Sequence, residues 1–238
     1  MKMNLTRRLT LAALAVATTF GAVGVASAQS YPDRPVKMVL PFPPGGVTDL
    51  LARALAERLA PRLGQPVVVE NKAGAGTVLA SDFVARAPAD GYTILLAASS
   101  LGTAPLLYEK VAYDAIRSFA PITQVASVVH VLVVNPNLPV NSVAELVAYA
   151  KQNPDKLSYA STGTGTSTHL EGELFKSMVQ ASMTHIPYRG SGPALTDLVA
   201  GRTQVMFDAW GSSGPFVKAG KLRALAVTTD LAPEKWSS

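Results

Sequence analysis

Nine consecutive residues, Ser-Thr-Gly-Thr-Gly-Thr-Ser-Thr-His at 161–169, bring together six hydroxyls, two glycines and an imidazole. A helix start needs one hydroxyl as a cap. Five more, beside amides that glycine leaves uncovered, suit a carboxylate or similar anion at the positive end of a helix. The segment lacks the lysine of a phosphate-binding P-loop. Residues 41–49 (Pro-Phe-Pro-Pro-Gly-Gly-Val-Thr-Asp), 188–194 (Tyr-Arg-Gly-Ser-Gly-Pro-Ala) and 99–103 (Ser-Ser-Leu-Gly-Thr) have the same character. Taken alone, the 41–49 stretch reads as an ordinary turn whose Asp49 caps the next helix. Arg189 is either a fixed positive charge or a surface ion-pair partner, and Pro193 suits a first helical position.

Catalytic chemistry finds less support. The three histidines, His130, His169 and His185, are dispersed, with no His-x-x-x-His or His-Glu-x-x-His spacing for a metal. No Gly-x-Ser-x-Gly elbow presents a nucleophile. His130 falls in an apolar run and reads as a core or surface residue. His169 reads as either a ligand donor or a capping group. Asp197 and Asp208 make no obvious acid-base pair. Without cysteine there are no disulfides, thiolate metal sites or cysteine nucleophiles. Neither a cofactor nor a metal is expected.

The elements that must position these loops alternate strand and helix, the pattern of parallel α/β units. Strands are predicted at 36–40, 67–70, 93–97, 128–134, 157–160, 183–186, 204–207 and 222–228. Helices are predicted at 49–63, 76–87, from Ser142 with Glu145 at the capping-box position, and at 168–179 and 193–200. All four loops follow a strand, and open parallel sheets bind ligands beyond the carboxyl ends of their strands. Two groups of strands divide near Ser127, predicting a first domain over 29–127 and a second over 128–221. Residues 128–134 are expected to cross between the two, and 222–238 to hold a strand returning to the first domain plus a tail.

Residues 1–28 form a basic head (Lys2, Arg7, Arg8), an apolar run and Ala26-Ser27-Ala28. That is an expected signal peptide cleaved after Ala28, which places the mature chain in the periplasm. The segment holds three of the 21 basic residues and none of the 16 acidic ones, leaving 18 against 16, a net charge of +2. Nothing in that balance calls for nucleic acid. About 210 mature residues can bury a core without disulfides.

Several stretches are similar to a known family. They are Tyr-Pro-Asp-Arg-Pro-Val at 31–36, Phe-Pro-Pro-Gly-Gly with Asp49, and Val-Glu-Asn-Lys-Ala-Gly-Ala-Gly at 69–76. Asp-Gly-Tyr-Thr at 90–93, Phe-Ala-Pro-Ile at 119–122 and the 163–175 segment ending His-Leu-Glu-Gly-Glu-Leu-Phe extend the match. His-Ile-Pro-Tyr-Arg-Gly at 185–190 and Gly-Lys-Leu-Arg-Ala-Leu-Ala-Val-Thr-Thr at 220–229 complete it. From Tyr31 to Thr229 the chain resembles the Bug family, periplasmic solute receptors of tripartite tricarboxylate transporters.

The resemblance implies a two-lobe, type II Venus-flytrap binding protein, monomeric, that closes on a small organic acid for membrane transporter subunits and does no chemistry. Carried over, it assigns ligand contacts to Phe42, Pro44, Gly45, Gly46 and Asp49 in the first domain. In the second it assigns Thr164, Gly165, Thr166, Ser167, His169, Ser191 and Ala194, with Asp208 a further candidate. The alternatives are a ligand-sensing receptor for a signalling partner and a periplasmic Ser/His hydrolase. The match ends before Asp230-Leu-Ala-Pro-Glu-Lys-Trp-Ser-Ser, which implies a C-terminally truncated member whose first domain lacks its last elements.

Overall fold

A computed structural model describes residues 30–229. The expected signal peptide and the tail from Asp230 lie outside the described residues. The first sheet has order β2-β1-β3, formed by Val36–Leu40 (β1), Val67–Asn71 (β2) and Thr93–Leu95 (β3), all parallel. Met38 sits opposite both Val69 and Ile94. Helix α1 (Val47–Leu63) lays Ala52, Leu55 and Leu59 against Met38 and Leu40, and stops at Gly64, whose φ of 68° costs a glycine nothing. A 3₁₀ turn at Ala75–Thr77 leads into α2 (Val78–Ala85), and α3 (Ser100–Leu107) follows β3.

The second sheet contains His130–Val134 (β4), Ser158–Ser161 (β5), Thr184–Pro187 (β6), Val205–Ala209 (β7) and Arg223–Val227 (β8), in the order β6-β5-β7-β4-β8. β5 runs parallel to β6 and β7, whereas β4 is antiparallel to β7 and β8. The architecture is therefore α/β with two parallel-rich sheets. Both faces of the central strands are covered, as their unbroken apolar runs require. Leu132 and Val134 join Leu146, Tyr159 and Phe207 on one face, beneath α4 (Val143–Gln152) and α5 (Ser167–Val179). Val131 and Val133 join Leu195, Leu198 and Met206 on the other, beneath α6 (Ser191–Val199) and α7 (Trp210–Lys218).

The capping box before α4 forms with a shift of one residue. Ser142 Oγ accepts from the Glu145 amide at 3.1 Å, while Glu145 Oε2 accepts from the amide of Asn141 at 2.8 Å. Two helices escaped the sequence reading, α3 and α7, and both contain proline and glycine. Their stability comes from tertiary packing rather than propensity. The strand over 222–228, expected to return to the first domain, lies wholly in the second sheet. It pairs with β4 from Val131↔Val227 to Val134↔Arg223 and so covers an edge whose backbone groups would otherwise lack partners.

Helix α5 is seated by a glycine. A Cβ on Gly172 would meet the ring of Tyr159 at 2.2 Å, and Tyr159 is fully buried. Gly172→Ala is expected to destabilise the protein by about 1–2 kcal/mol, the overpacking cost less the helix-propensity gain. Chemical denaturation checks this, and a variant as stable as wild type would contradict the packing described.

Candidate binding cleft

The loop 41–46 is held rigid by Asp49. This carboxylate, 3 % exposed, sits at the third position of α1 and reaches back instead of capping forward. Its Oδ2 accepts from the Gly45 amide and Arg53 Nε, both at 3.0 Å, and its Oδ1 from an Arg53 terminal nitrogen and Asn71 Nδ2 at 3.0 and 2.9 Å. Four donors fill its four lone-pair sites. The Arg53 guanidinium, helped by Gly45 and Asn71, outweighs burial and holds the carboxyl down at about 2. Asn71 also donates to the Phe42 carbonyl at 2.9 Å. Asp49 thus positions the loop and has no capacity left for a ligand.

The hydroxyls of 161–168 are largely turned inward, a correction to their reading as surplus donors. Thr166 Oγ1 donates to the Gly163 carbonyl at 2.6 Å, Thr162 Oγ1 lies 3.1 and 3.0 Å from the hydroxyls of Thr166 and Thr168, and Thr168 Oγ1 accepts from the Thr162 amide at 2.9 Å. Ser161 Oγ accepts from the Gly163 amide and lies 2.7 Å from His185 Nε2. His169 Nδ1 accepts from the Gly165 amide at 3.1 Å. A turn with two glycines at positive φ, Gly163 and Gly165, needs this mesh to hold one shape.

The same turn carries the contact between the lobes. Thr103 Oγ1 donates to the Gly165 carbonyl at 2.7 Å, and the Tyr108 hydroxyl to the Thr164 carbonyl at 3.1 Å. Three glycines allow the approach. A Cβ would strike Thr164 O at 2.1 Å from Gly76, Pro43 at 2.8 Å from Gly190, and Val47 at 2.8 Å from Gly211.

Between the lobes lies a cavity of about 1640 Å³. From the first sheet it is lined by Phe42, Pro43, Pro44 and Gly46 and by Ser99 and Leu101 at the start of α3. From the second come Thr162, Ser167 and Thr168 on the α5 side and Gly190, Ser191 and Pro193 on the α6 side. Its volume exceeds that of ordinary small-ligand sites, roughly 300–1,000 Å³. The excess arises because the cleft runs on over an uncovered apolar face formed by Leu51, Leu55, Leu59, Ile94, Phe119 and Ile122, the last 81 % exposed.

Of the residues singled out from sequence, Phe42, Pro44, Gly46, Ser167, Ser191 and Asp208 line this cavity. Gly45, Asp49, Thr164, Gly165, Thr166 and His169 are not part of its wall, and Ala194 is in the core with no exposure. Pro193 is the third residue of α6, not the first, which is harmless because the first-turn amides have no partner within the helix. Arg189 is exposed and lines a separate pocket of about 40 Å³.

Asp208 is completely buried at the cleft floor. Ser191 Oγ donates to its Oδ1 at 2.6 Å, its Oδ2 has no partner, and burial pushes its carboxyl up to about 6. Two ionisable lining residues, His130 and Glu171, were not among the contacts expected from the sequence. His130 Nδ1 lies 2.6 Å from Glu171 Oε1, 41 positions away, and nothing in their spacing joins them.

The Ser–His pair that hydrolysis would need is Ser161 with His185, but Ser161 has no exposure and neither residue lines the cavity.

Residues 51–233 match the model of the "Tripartite tricarboxylate transporter family receptor". The Protein BugT of Bordetella pertussis is 41% identical over 227 residues, 94% of this chain and 69% of that protein. Among solved structures, "R. palustris Rpa4515 with adipate" is 42% identical with a TM-score of 0.81, covering 84% of this chain and 67% of that one. "Periplasmic binding protein BugD" is also 42% identical, with a TM-score of 0.79 and the same coverage. The chain thus spans about two thirds of these relatives' length.

Proposed function

Because this chain belongs to the receptor family of the tripartite tricarboxylate transporters, we propose that it captures a small carboxylate between its lobes and passes it on without altering it. The observation that carries this is the convergence of the loop ends. The turn 42–46 and the starts of α3, α5 and α6 all face one cavity, while Thr103 and Tyr108 clasp the turn 164–165 beside it. Helix N-termini with backbone amides, joined by the hydroxyl of Ser167, suit a carboxylate head. The adipate in the Rpa4515 structure is a ligand of this class. Asp49, Thr166 and His169 serve by fixing loops, and Thr164 and Gly165 by joining the lobes. The setting is the periplasm, as for BugD, reached by removal of residues 1–28, and the partners are the membrane subunits of a transporter. The buried Ser161 disfavours hydrolysis.

Calorimetric titration of the purified chain against mono-, di- and tricarboxylates tests the reading. Saturable binding of at least one acid, with a raised melting temperature, is expected. A cooperatively folded protein that binds none of them would overturn it.

A further inference from the structure

Among the described residues the cavity wall holds no lysine or arginine, and its ionisable side chains are His130, Glu171 and Asp208. The two carboxylates are turned into the protein. Oε2 of Glu171 and Oδ2 of Asp208 are shielded from water, and their other oxygens are bonded to His130 and Ser191. The imidazole differs. His130 opens β4 on the face it shares with Leu132 and Val134, beneath α5, where Glu171 Oε1 meets its Nδ1 at 2.6 Å. A carboxylate only accepts, so Nδ1 carries the hydrogen of that contact, which makes Nε2 the acceptor nitrogen of the neutral ring. Nε2 has no partner among the described residues and, unlike the two carboxylate oxygens, is not shielded from water. It is thus an oriented polar atom open on a cavity wall, free for what enters the cleft. Ser167 and Glu171 both line the cavity four residues apart on α5. His130 therefore meets that helix about 6 Å, roughly one turn, beyond its start.

We propose that His130 Nε2 receives a hydroxyl of the ligand, at the end away from the carboxylate, and that Glu171 is the positioning residue that holds the ring and its tautomer for this contact. The proposal rests on the carboxylate-receptor reading and narrows its ligand class from plain acids to hydroxy acids. A hydroxyl both donates and accepts, so it pairs with Nε2 whichever protonation state the ring is in. A second carboxylate finds no donor on the neutral ring, and it meets like charge from Glu171 with no lysine or arginine on the wall to offset it. A methyl end strips water from Nε2 and gives it nothing in return.

Two series that differ only at the far end test this by calorimetry: butanoate, succinate and 4-hydroxybutanoate, and hexanoate, adipate and 6-hydroxyhexanoate. In at least one series the hydroxyl-ended acid is expected to bind about tenfold more tightly than either of the other two, the scale of leaving a polar group unpaired. His130→Phe keeps a ring and removes both nitrogens, and it is expected to abolish the preference for hydroxyl over methyl. Long-range proton–nitrogen spectra of the wild-type protein give a readout that does not depend on the variant folding. They should show His130 protonated at Nδ1 in its neutral form, Glu171→Ala should disturb that pattern, and the Nε2 resonance should move with the hydroxy acid and not with the alkanoate. Equal or tighter binding of the methyl- or carboxylate-ended acids, a preference retained in folded His130→Phe, or an Nε2 resonance unmoved by the hydroxy acid overturns the proposal and leaves the receptor reading intact. If neither series binds while another carboxylate does, the hydroxyl contact falls alone. If no carboxylate binds to cooperatively folded protein, the receptor reading fails and the contact with it.

Discussion

Gly76→Ala is expected to weaken binding of the best carboxylate ligand on the order of a hundredfold while leaving each lobe folded. Gly76 sits in the 3₁₀ turn before α2 with a φ of 55°, where an alanine costs about 1 kcal/mol. Its Cβ would lie 2.1 Å from the Thr164 carbonyl and 2.5 Å from the Tyr108 hydroxyl, inside the hydrogen bond that joins the lobes. The carbonyl belongs to a turn meshed by Thr162, Thr166 and Thr168 and cannot yield alone, so the lobes must separate. Overpacking of this kind adds about 1–3 kcal/mol, and each 1.4 kcal/mol is about tenfold in affinity. Gly64→Ala is the control. It has a similar φ of 68° but no atom within 4 Å of the added Cβ, so it should lower stability slightly and leave binding unchanged. Calorimetry and small-angle scattering on both variants decide the matter. Wild-type affinity in Gly76→Ala would mean that the contact between Gly76 and Thr164 plays no part in the bound state.

How far this site was legible in the sequence depended on the range of the interactions. Strand β1 was read to the residue, and α1 and α5 to within two, because a local apolar period and glycine punctuation specify them. Helices α3 and α7 were not read, since Ser-Leu-Gly-Thr-Ala-Pro-Leu-Leu and Trp-Gly-Ser-Ser-Gly-Pro-Phe-Val-Lys have breakers where a period should be. The loops that face the cavity were found from composition, but their division of labour was not. Asp49 looked like a ligand contact until Arg53, Asn71 and Gly45 were seen to saturate it. Arg53 lies one helical turn away and could have been paired from spacing alone. The contact of His130 with Glu171 could not, because it depends on β4 entering the second sheet beside β7 and on the azimuth of α5 above them.

Acid is expected to destabilise this protein well above the carboxylate range, through His185. The ring is stacked at 4.9 Å on Tyr159 and lies tilted, 4.2 Å away, against His169, and its Nε2 meets Ser161 Oγ at 2.7 Å. Burial, reinforced by repulsion from the neighbouring imidazole, depresses His185 from 6.5 to about 4. In the unfolded chain the group protonates near its ordinary value, so between those two limits the unfolded state binds a proton that the native state refuses. The stabilisation is therefore complete above pH 6.5 and is lost as pH falls toward 4. It amounts to as much as about 3 kcal/mol, or roughly 6–12 °C in melting temperature for a chain of this size. His169 is depressed as well, first by burial, and its Nδ1 must stay unprotonated to accept from Gly165. Protonating it detaches the turn whose carbonyls Thr103 and Tyr108 grip, so affinity for the ligand should fall as the medium is acidified below the ordinary imidazole range. Melting curves from pH 7.5 to 4.5 on wild type and His185→Gln test the assignment. The wild-type decline should flatten in the variant, and an identical slope in both would place the acid sensitivity elsewhere.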